Sequence, residues 1–160
     1  MIKGIKNIIL KIIYILLIIY ISIFIPKLWG QNPLVIISGS MEPTLHVGGI
    51  LYYQEKNIDE YEIGDVLVYK TEAHNISHRI VEQEDECFIT KGDANNTYDK
   101  ELVCQDTILG KGTNWSIPYI GYYADYIYSH KYLIYISIVL ISLDLVFDKK
   151  KEVKTNEKSN

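Results

Sequence analysis

Leu34-Val35-Ile36-Ile37-Ser38-Gly39-Ser40-Met41-Glu42-Pro43 is an apolar run that ends on two hydroxyls two residues apart. A short strand over Leu34–Ile37 delivers Ser38 and Ser40 to one point. Gly39 lets the backbone turn sharply there, and Pro43 stops a helix from running through. That geometry suits a nucleophilic serine with a neighbouring hydroxyl to help hold an oxyanion. The same residues also describe an ordinary Ser-Gly-Ser turn between strands, so the rest of the chain has to decide.

Downstream, the apolar runs are short and rich in β formers: Ile50–Tyr53, Val66–Tyr69, Arg79–Val81 and Phe88–Thr90. Turn residues punctuate them at Gly48-Gly49, Gly64-Asp65 and Gly92-Asp93-Ala94-Asn95-Asn96. The pattern predicts a mainly antiparallel β domain without internal repeats. Residues 27–125 form that domain, about the size of one folding unit.

The two ends read differently. Ile5 to Ile25 is almost wholly apolar, long enough to span a bilayer at roughly 20 residues. No small-x-small cleavage pattern follows in Pro26-Lys27-Leu28-Trp29-Gly30, so residues 1–26 read as an uncleaved anchor with a short tip. A second apolar run, Tyr132–Phe147, contains one charge, Asp144, and extends back through Tyr126-Ile127-Tyr128. We expect residues 126–148 to form a second transmembrane helix with tyrosines at the interface, and 149–160 a disordered tail. Lys3, Lys6 and Lys11 flank the first span, and Lys149, Lys150, Lys151, Lys154 and Lys158 follow the second. Lysine-rich flanks stay cytoplasmic, which places both termini inside and the β domain across the membrane. Asp144 then falls about a turn from the cytoplasmic edge, where a carboxylate can reach water.

From Lys27 to Lys131 there are 8 basic residues against 16 acidic ones, a net charge of −8. An acidic surface argues against a nucleic-acid partner. Cys87 and Cys104 are the only cysteines. They can pair on an oxidising side of the membrane or remain free thiols, and their spacing is not that of a zinc site. Three Asn-x-Ser/Thr sequons, at Asn75, Asn95 and Asn114, matter only in a cell that glycosylates, and the Ile, Lys, Asn and Tyr usage points to an AT-rich prokaryotic genome.

A serine hydroxyl needs an adjacent base at neutral pH. His46, His74, His78 and His130 are the candidates, and the residues alone leave the choice open. His74 and His78 are four apart, but Lys70 to Val81 reads as a strand pair and no HExxH is present, so no metal site is expected. Lys91-Gly92-Asp93-Ala94-Asn95-Asn96-Thr97-Tyr98-Asp99 supplies two carboxylates, either of which can orient an imidazole. A calcium loop is the rival. It fails at its sixth position, Tyr98 where glycine is needed, and at its twelfth, Cys104 where glutamate is needed. A solvated Asx-rich turn is the plainer alternative.

Five segments in order carry a resemblance: Ser38-Gly39-Ser40-Met41-Glu42-Pro43-Thr44, Gly64-Asp65-Val66-Leu67-Val68, His78-Arg79-Ile80-Val81, Thr90-Lys91-Gly92-Asp93-Ala94-Asn95-Asn96 with Asp99, and Pro118-Tyr119-Ile120-Gly121. Behind a membrane anchor, this series resembles signal peptidase I. It is similar to the endoplasmic-reticulum and archaeal branch, also found in some Gram-positive bacteria. The common bacterial branch has a lysine where this chain has His78. The chain also lacks the large inserted β region of many bacterial enzymes.

The resemblance implies a small signal-peptidase/LexA-like β fold and a membrane-bound serine endopeptidase. It implies Ser40 as nucleophile, His78 as general base, Asp99 as the carboxylate that orients it and Asp93 as a second required acid. Ser38 and the backbone N–H of Ser40 would hold the oxyanion. No metal or cofactor is implied. The substrates would be secretory preproteins with small side chains, such as alanine, at the residue before the cut and the third before it. The translocon and the lipid bilayer would be partners. The enzyme would sit in the plasma membrane, or the endoplasmic-reticulum membrane in a eukaryote. Arg79, the only arginine, is expected in an ion pair and in no chemical step. Two other classes remain: a non-catalytic accessory or binding protein of the same fold, and a Ser–His esterase, which the lack of a G-x-S-x-G elbow disfavours.

Overall fold

The computed structural model describes residues 2–156 of the chain. They divide into two compact units, one made of Ile23–Asp125 and the other of the chain up to Ser22 and from Tyr126 on. In order come helix α1 (Ile2–Phe24), a 3-10 turn (Ile25–Trp29), β1 (Asn32–Val35), β2 (Ile50–Gln54), β3 (Val66–Lys70), β4 (Asn75–Glu84), β5 (Cys87–Lys91), β6 (Val103–Cys104), β7 (Ile108–Gly112), α2 (Ile120–Ser129) and α3 (Tyr132–Asn156). The protein is mainly β, with flanking helices.

The strands form one seven-stranded antiparallel sheet in the order β1-β2-β7-β3-β4-β5-β6. Strand β3 lies at its centre and explains its own composition. Val66, Leu67, Val68 and Tyr69 are all buried, because both faces of the sheet are covered. Side chains alternate along a strand. Val66 and Val68 therefore join Ile36, Met41, Leu45 and Leu51 on one face. Leu67 and Tyr69 join Tyr61, Ile80, Phe88 and Val103 on the other.

Strands β6 and β7 were not legible as apolar runs. β7 reads Ile-Leu-Gly-Lys-Gly, poor in strand formers. Its glycines serve packing. A Cβ at Gly110 would run into the Gln54 carbonyl, and one at Gly112 would sit 3.1 Å from the Val66 side chain. β6 has two residues and is joined to β5 by a Cys87–Cys104 disulfide between directly opposed positions. The two thiols are therefore paired.

The N-terminal stretch Gly4–Trp29 is long and apolar enough to cross a bilayer. Most of its outward side chains are apolar, as at Ile8 and Ile18, both about 60% exposed. The second span expected over 126–148 falls across two helices. The chain breaks after Ser129, and α2 and α3 meet at 88°. Polar groups cluster at the break. The His130 ring stacks on Tyr126 at 4.4 Å and its Nδ1 donates to the Tyr126 carbonyl at 2.9 Å, while the Lys131 ammonium lies over the Tyr128 ring. Asp144, expected to reach water, lies 2.5 Å from Lys6 Nζ of α1. The tail expected to be disordered from residue 149 is helical to Asn156, consistent with the good helix propensity of lysine and glutamate. Residues 157–160 of that tail lie outside the described residues.

Candidate active site

Ser40 follows β1 in a tight turn. The Glu42 N–H donates to the Gly39 carbonyl at 3.1 Å, and the Leu45 N–H to the Met41 carbonyl at 2.9 Å. Met41 and Leu45 are buried in the core and seat this loop on the sheet. The loop of residues 91–99 packs against it. The Ala94 N–H donates to the Ser40 carbonyl at 2.8 Å, and a Cβ on Gly92 would stand 2.5 Å from that same oxygen. Glycine is required there because the two backbones touch.

His78 lies on β4 opposite Leu67 of β3. It is 7% exposed. Its Nε2 is 3.0 Å from Ser40 Oγ, and its Nδ1 is 2.6 Å from Asp99 Oδ2. A carboxylate only accepts, so Nδ1 carries the proton and Nε2 presents its lone pair to the Ser40 hydroxyl. Asp99 Oδ2 also accepts from Thr90 Oγ1 at 2.7 Å and from the Tyr69 hydroxyl at 3.1 Å. The other histidines go elsewhere: His46 pairs with Glu42 on the surface, His74 sits in the β3–β4 turn, and His130 stacks on Tyr126.

The two aspartates do different things. Asp93 does not bond His78. Arg79 Nε and one terminal nitrogen donate to its two oxygens at 2.8 and 2.6 Å, and Thr44 Oγ1 donates at 2.6 Å. These donors, Arg79 first, hold the Asp93 carboxyl below the usual carboxylate range against the opposing effect of burial. Arg79 also donates to the Gly64 carbonyl and to Asn114 Oδ1. Asp93 and Asp99 thus point to different partners and do not converge as a calcium loop would require.

Ser38 Oγ lies 3.2 Å from Ser40 Oγ. A cleft of about 230 Å³ runs past Ser40 and His78, walled by Leu34, Ile36, Ser38 and Ile76 among others. A larger groove, about 640 Å³, approaches Asp99 beside Tyr69, Ile76 and Val103.

Sequence reasoning missed Tyr69, Thr90, Thr44 and Asn114. Tyr69 and Thr90 sit inside strands and read as core-facing or structural residues. Only the register of β3, β4 and β5 brings their hydroxyls to Asp99. Arg79 takes the ion-pair role expected of it.

No family model matches the chain. Curated relatives do. The chain is 34% identical over 108 residues to the signal peptidase complex catalytic subunit SEC11 of Colletotrichum graminicola, covering 58% of this chain and 62% of that protein. It is 32% identical over 130 residues to signal peptidase I W of Bacillus subtilis, 72% of this chain and 68% of that one. It is 31% identical over 135 residues to the SEC11 subunit of Chaetomium globosum, 76% and 78% of the two chains. The chain thus spans less than two thirds of the Colletotrichum protein and more than two thirds of the other two.

Proposed function

The chain belongs to the signal peptidase I family, and on that premise we propose that it is a membrane-tethered serine endopeptidase that removes signal peptides from exported preproteins. The observation that carries this reading is the unbroken path Ser40 Oγ–His78 Nε2 at 3.0 Å and His78 Nδ1–Asp99 Oδ2 at 2.6 Å. A fold kept only for binding has no need of a hydroxyl, an imidazole and a carboxylate in proton-transfer register.

In this reading Ser40 Oγ attacks the scissile carbonyl carbon as its proton passes to His78 Nε2. Asp99 holds the ring in the required tautomer and stabilises the imidazolium. The C–N bond breaks, and His78 returns the proton to the leaving amine. Water then attacks the acyl-Ser40 ester, again through His78, and frees the carboxylate. Ser38 Oγ and the Ser40 N–H are the donors proposed for the oxyanion. Asp93 is assigned a supporting role: with Arg79 and Thr44 it fixes the loop that buttresses Ser40.

The cleft of about 230 Å³ suits small side chains, and its apolar walls exclude large ones by clash. The α1 anchor holds the site on the bilayer that holds the signal peptide, which raises their effective concentration. We assign the β domain to the extracytoplasmic side and both termini to the cytoplasm, from the lysine flanks. The translocon is the partner that would deliver nascent preproteins.

The test is cleavage of a radiolabelled preprotein by the full-length protein in proteoliposomes, with the new N-terminus sequenced. Wild type should give mature product. Ser40→Ala and His78→Ala should give none while accumulating in membranes. Cleavage that persists in Ser40→Ala would sink the reading.

A further inference from the structure

Asp99 is gripped by groups that none of the catalytic assignments uses. Thr90 holds it twice: its carbonyl accepts from the Asp99 N–H at 2.8 Å, and its hydroxyl donates to Asp99 Oδ2 at 2.7 Å. Tyr69 touches both partners of the His78–Asp99 pair. Its hydroxyl is 3.1 Å from Asp99 Oδ2, and its ring meets the His78 ring edge-on, with centroids 6.4 Å apart at 71°. Thr90 is fully buried and Tyr69 is 6% exposed. The two hydroxyl oxygens lie 3.3 Å from each other. An acceptor-only carboxylate directs the single proton of each toward itself. The arrangement is built by three adjacent strands, since Tyr69, His78 and Thr90 come from β3, β4 and β5.

We propose that Tyr69 and Thr90 are positioning residues of the peptidase, a two-hydroxyl cradle that fixes Asp99 Oδ2 and limits how strongly it pulls the His78 proton. The assignment rests on the catalytic reading above. Hydrogen bonds to a carboxylate disperse its charge. With both donors in place, Asp99 orients His78 without making the imidazolium so stable that it fails to give its proton to the leaving amine. Burial pushes the Tyr69 phenol well above its ordinary value, and the Asp99 charge adds to this. Tyr69 therefore stays a neutral donor throughout the working pH range.

Other charges near the pair are Asp93 with its Arg79 partner, and His74 on the cleft side. Lys70, Glu72, Lys100 and Glu101 line the groove on the Asp99 side. The variants chosen leave all of these in place.

Tyr69→Phe keeps the ring and its packing and deletes only the donor. Thr90→Val does the same for the second hydroxyl, and Thr90→Ser restores it. Two quantities are measured on the full-length protein: kcat and KM for preprotein cleavage across pH, and the His78 imidazole titration by NMR. Tyr69→Phe and Thr90→Val should each lower kcat on the order of tenfold, the effect of one lost hydrogen bond to a charged group. KM should stay within about twofold, since neither residue lines the cleft at Ser40 and His78. The His78 midpoint and the acid limb of kcat should both move to higher pH, because a less solvated Asp99 favours the imidazolium. Thr90→Ser should recover most of the rate. Unchanged kcat in both Tyr69→Phe and Thr90→Val, or a His78 midpoint that neither moves, overturns the inference while leaving the peptidase reading intact. If the wild type cleaves nothing, the peptidase reading fails, and the NMR midpoint alone decides whether the cradle tunes His78.

Discussion

His78 and Arg79 are neighbours on one strand and serve two different carboxylates. Alternation sends them to opposite faces of the sheet. Asp99 meets His78 on one face and Asp93 meets Arg79 on the other, so the loop of residues 91–99 straddles β4. The Asp93–Arg79 pair is bidentate and partly shielded, with side-chain exposures of 16% and 25%. Asp93→Asn should cost about 1–3 kcal/mol at neutral pH by leaving Arg79 without its charge partner. The sign of the pH dependence follows from the carboxyl being held down in the folded protein. Its contribution is complete above the unfolded value of about 3.9 and is lost as pH falls through the lower, folded value. Denaturant titrations should therefore show a gap between wild type and Asp93→Asn that is constant at pH 6–8 and closes below about pH 4. A gap that persists in acid would mean that Asp93 acts by packing alone.

At the scale of elements, what was legible followed composition. Strands β2 to β5 stood out because β-branched and aromatic residues cluster between turn signals, and the serine turn stood out because Ser-Gly-Ser ends an apolar run. β7 was hidden by its two glycines, which exist for close strand packing. β6 was hidden by being two residues long. The pairing of Cys87 with Cys104 is not legible in the sequence, because only the register opposes the two positions. The choice of Asp99 over Asp93 followed from resemblance, and its physical cause, strand parity at His78 and Arg79, becomes visible once β4 is drawn. The disulfide closes the segment that carries both aspartates, with a sequence separation of 17. A loop of that length is worth about 3 kcal/mol in the chain-entropy account. The double variant Cys87→Ala with Cys104→Ala should lose about that much stability by denaturant titration. A loss near zero would show that the sheet alone fixes β6.

For the whole molecule, charge and apolarity vary together along the chain. The acidic stretch, net −8 from Lys27 to Lys131, lies between two lysine-flanked apolar segments. The proposed arrangement puts both ends of the chain on one side of the bilayer. Epitope tags at the N- and C-termini should both resist added protease in intact spheroplasts, while the β domain is digested. A C-terminal tag cut from outside would mean that α3 does not cross. The central claim is that the Ser40 hydroxyl and the His78 imidazole act as one unit. A double-mutant cycle tests it most directly, with single-turnover cleavage rates for wild type, Ser40→Ala, His78→Ala and the double variant. The account predicts that each single change costs roughly 10³-fold or more and that the double variant is no slower than the worse single. Losses that multiply, or a His78→Ala protein that cleaves at the wild-type rate, would contradict it.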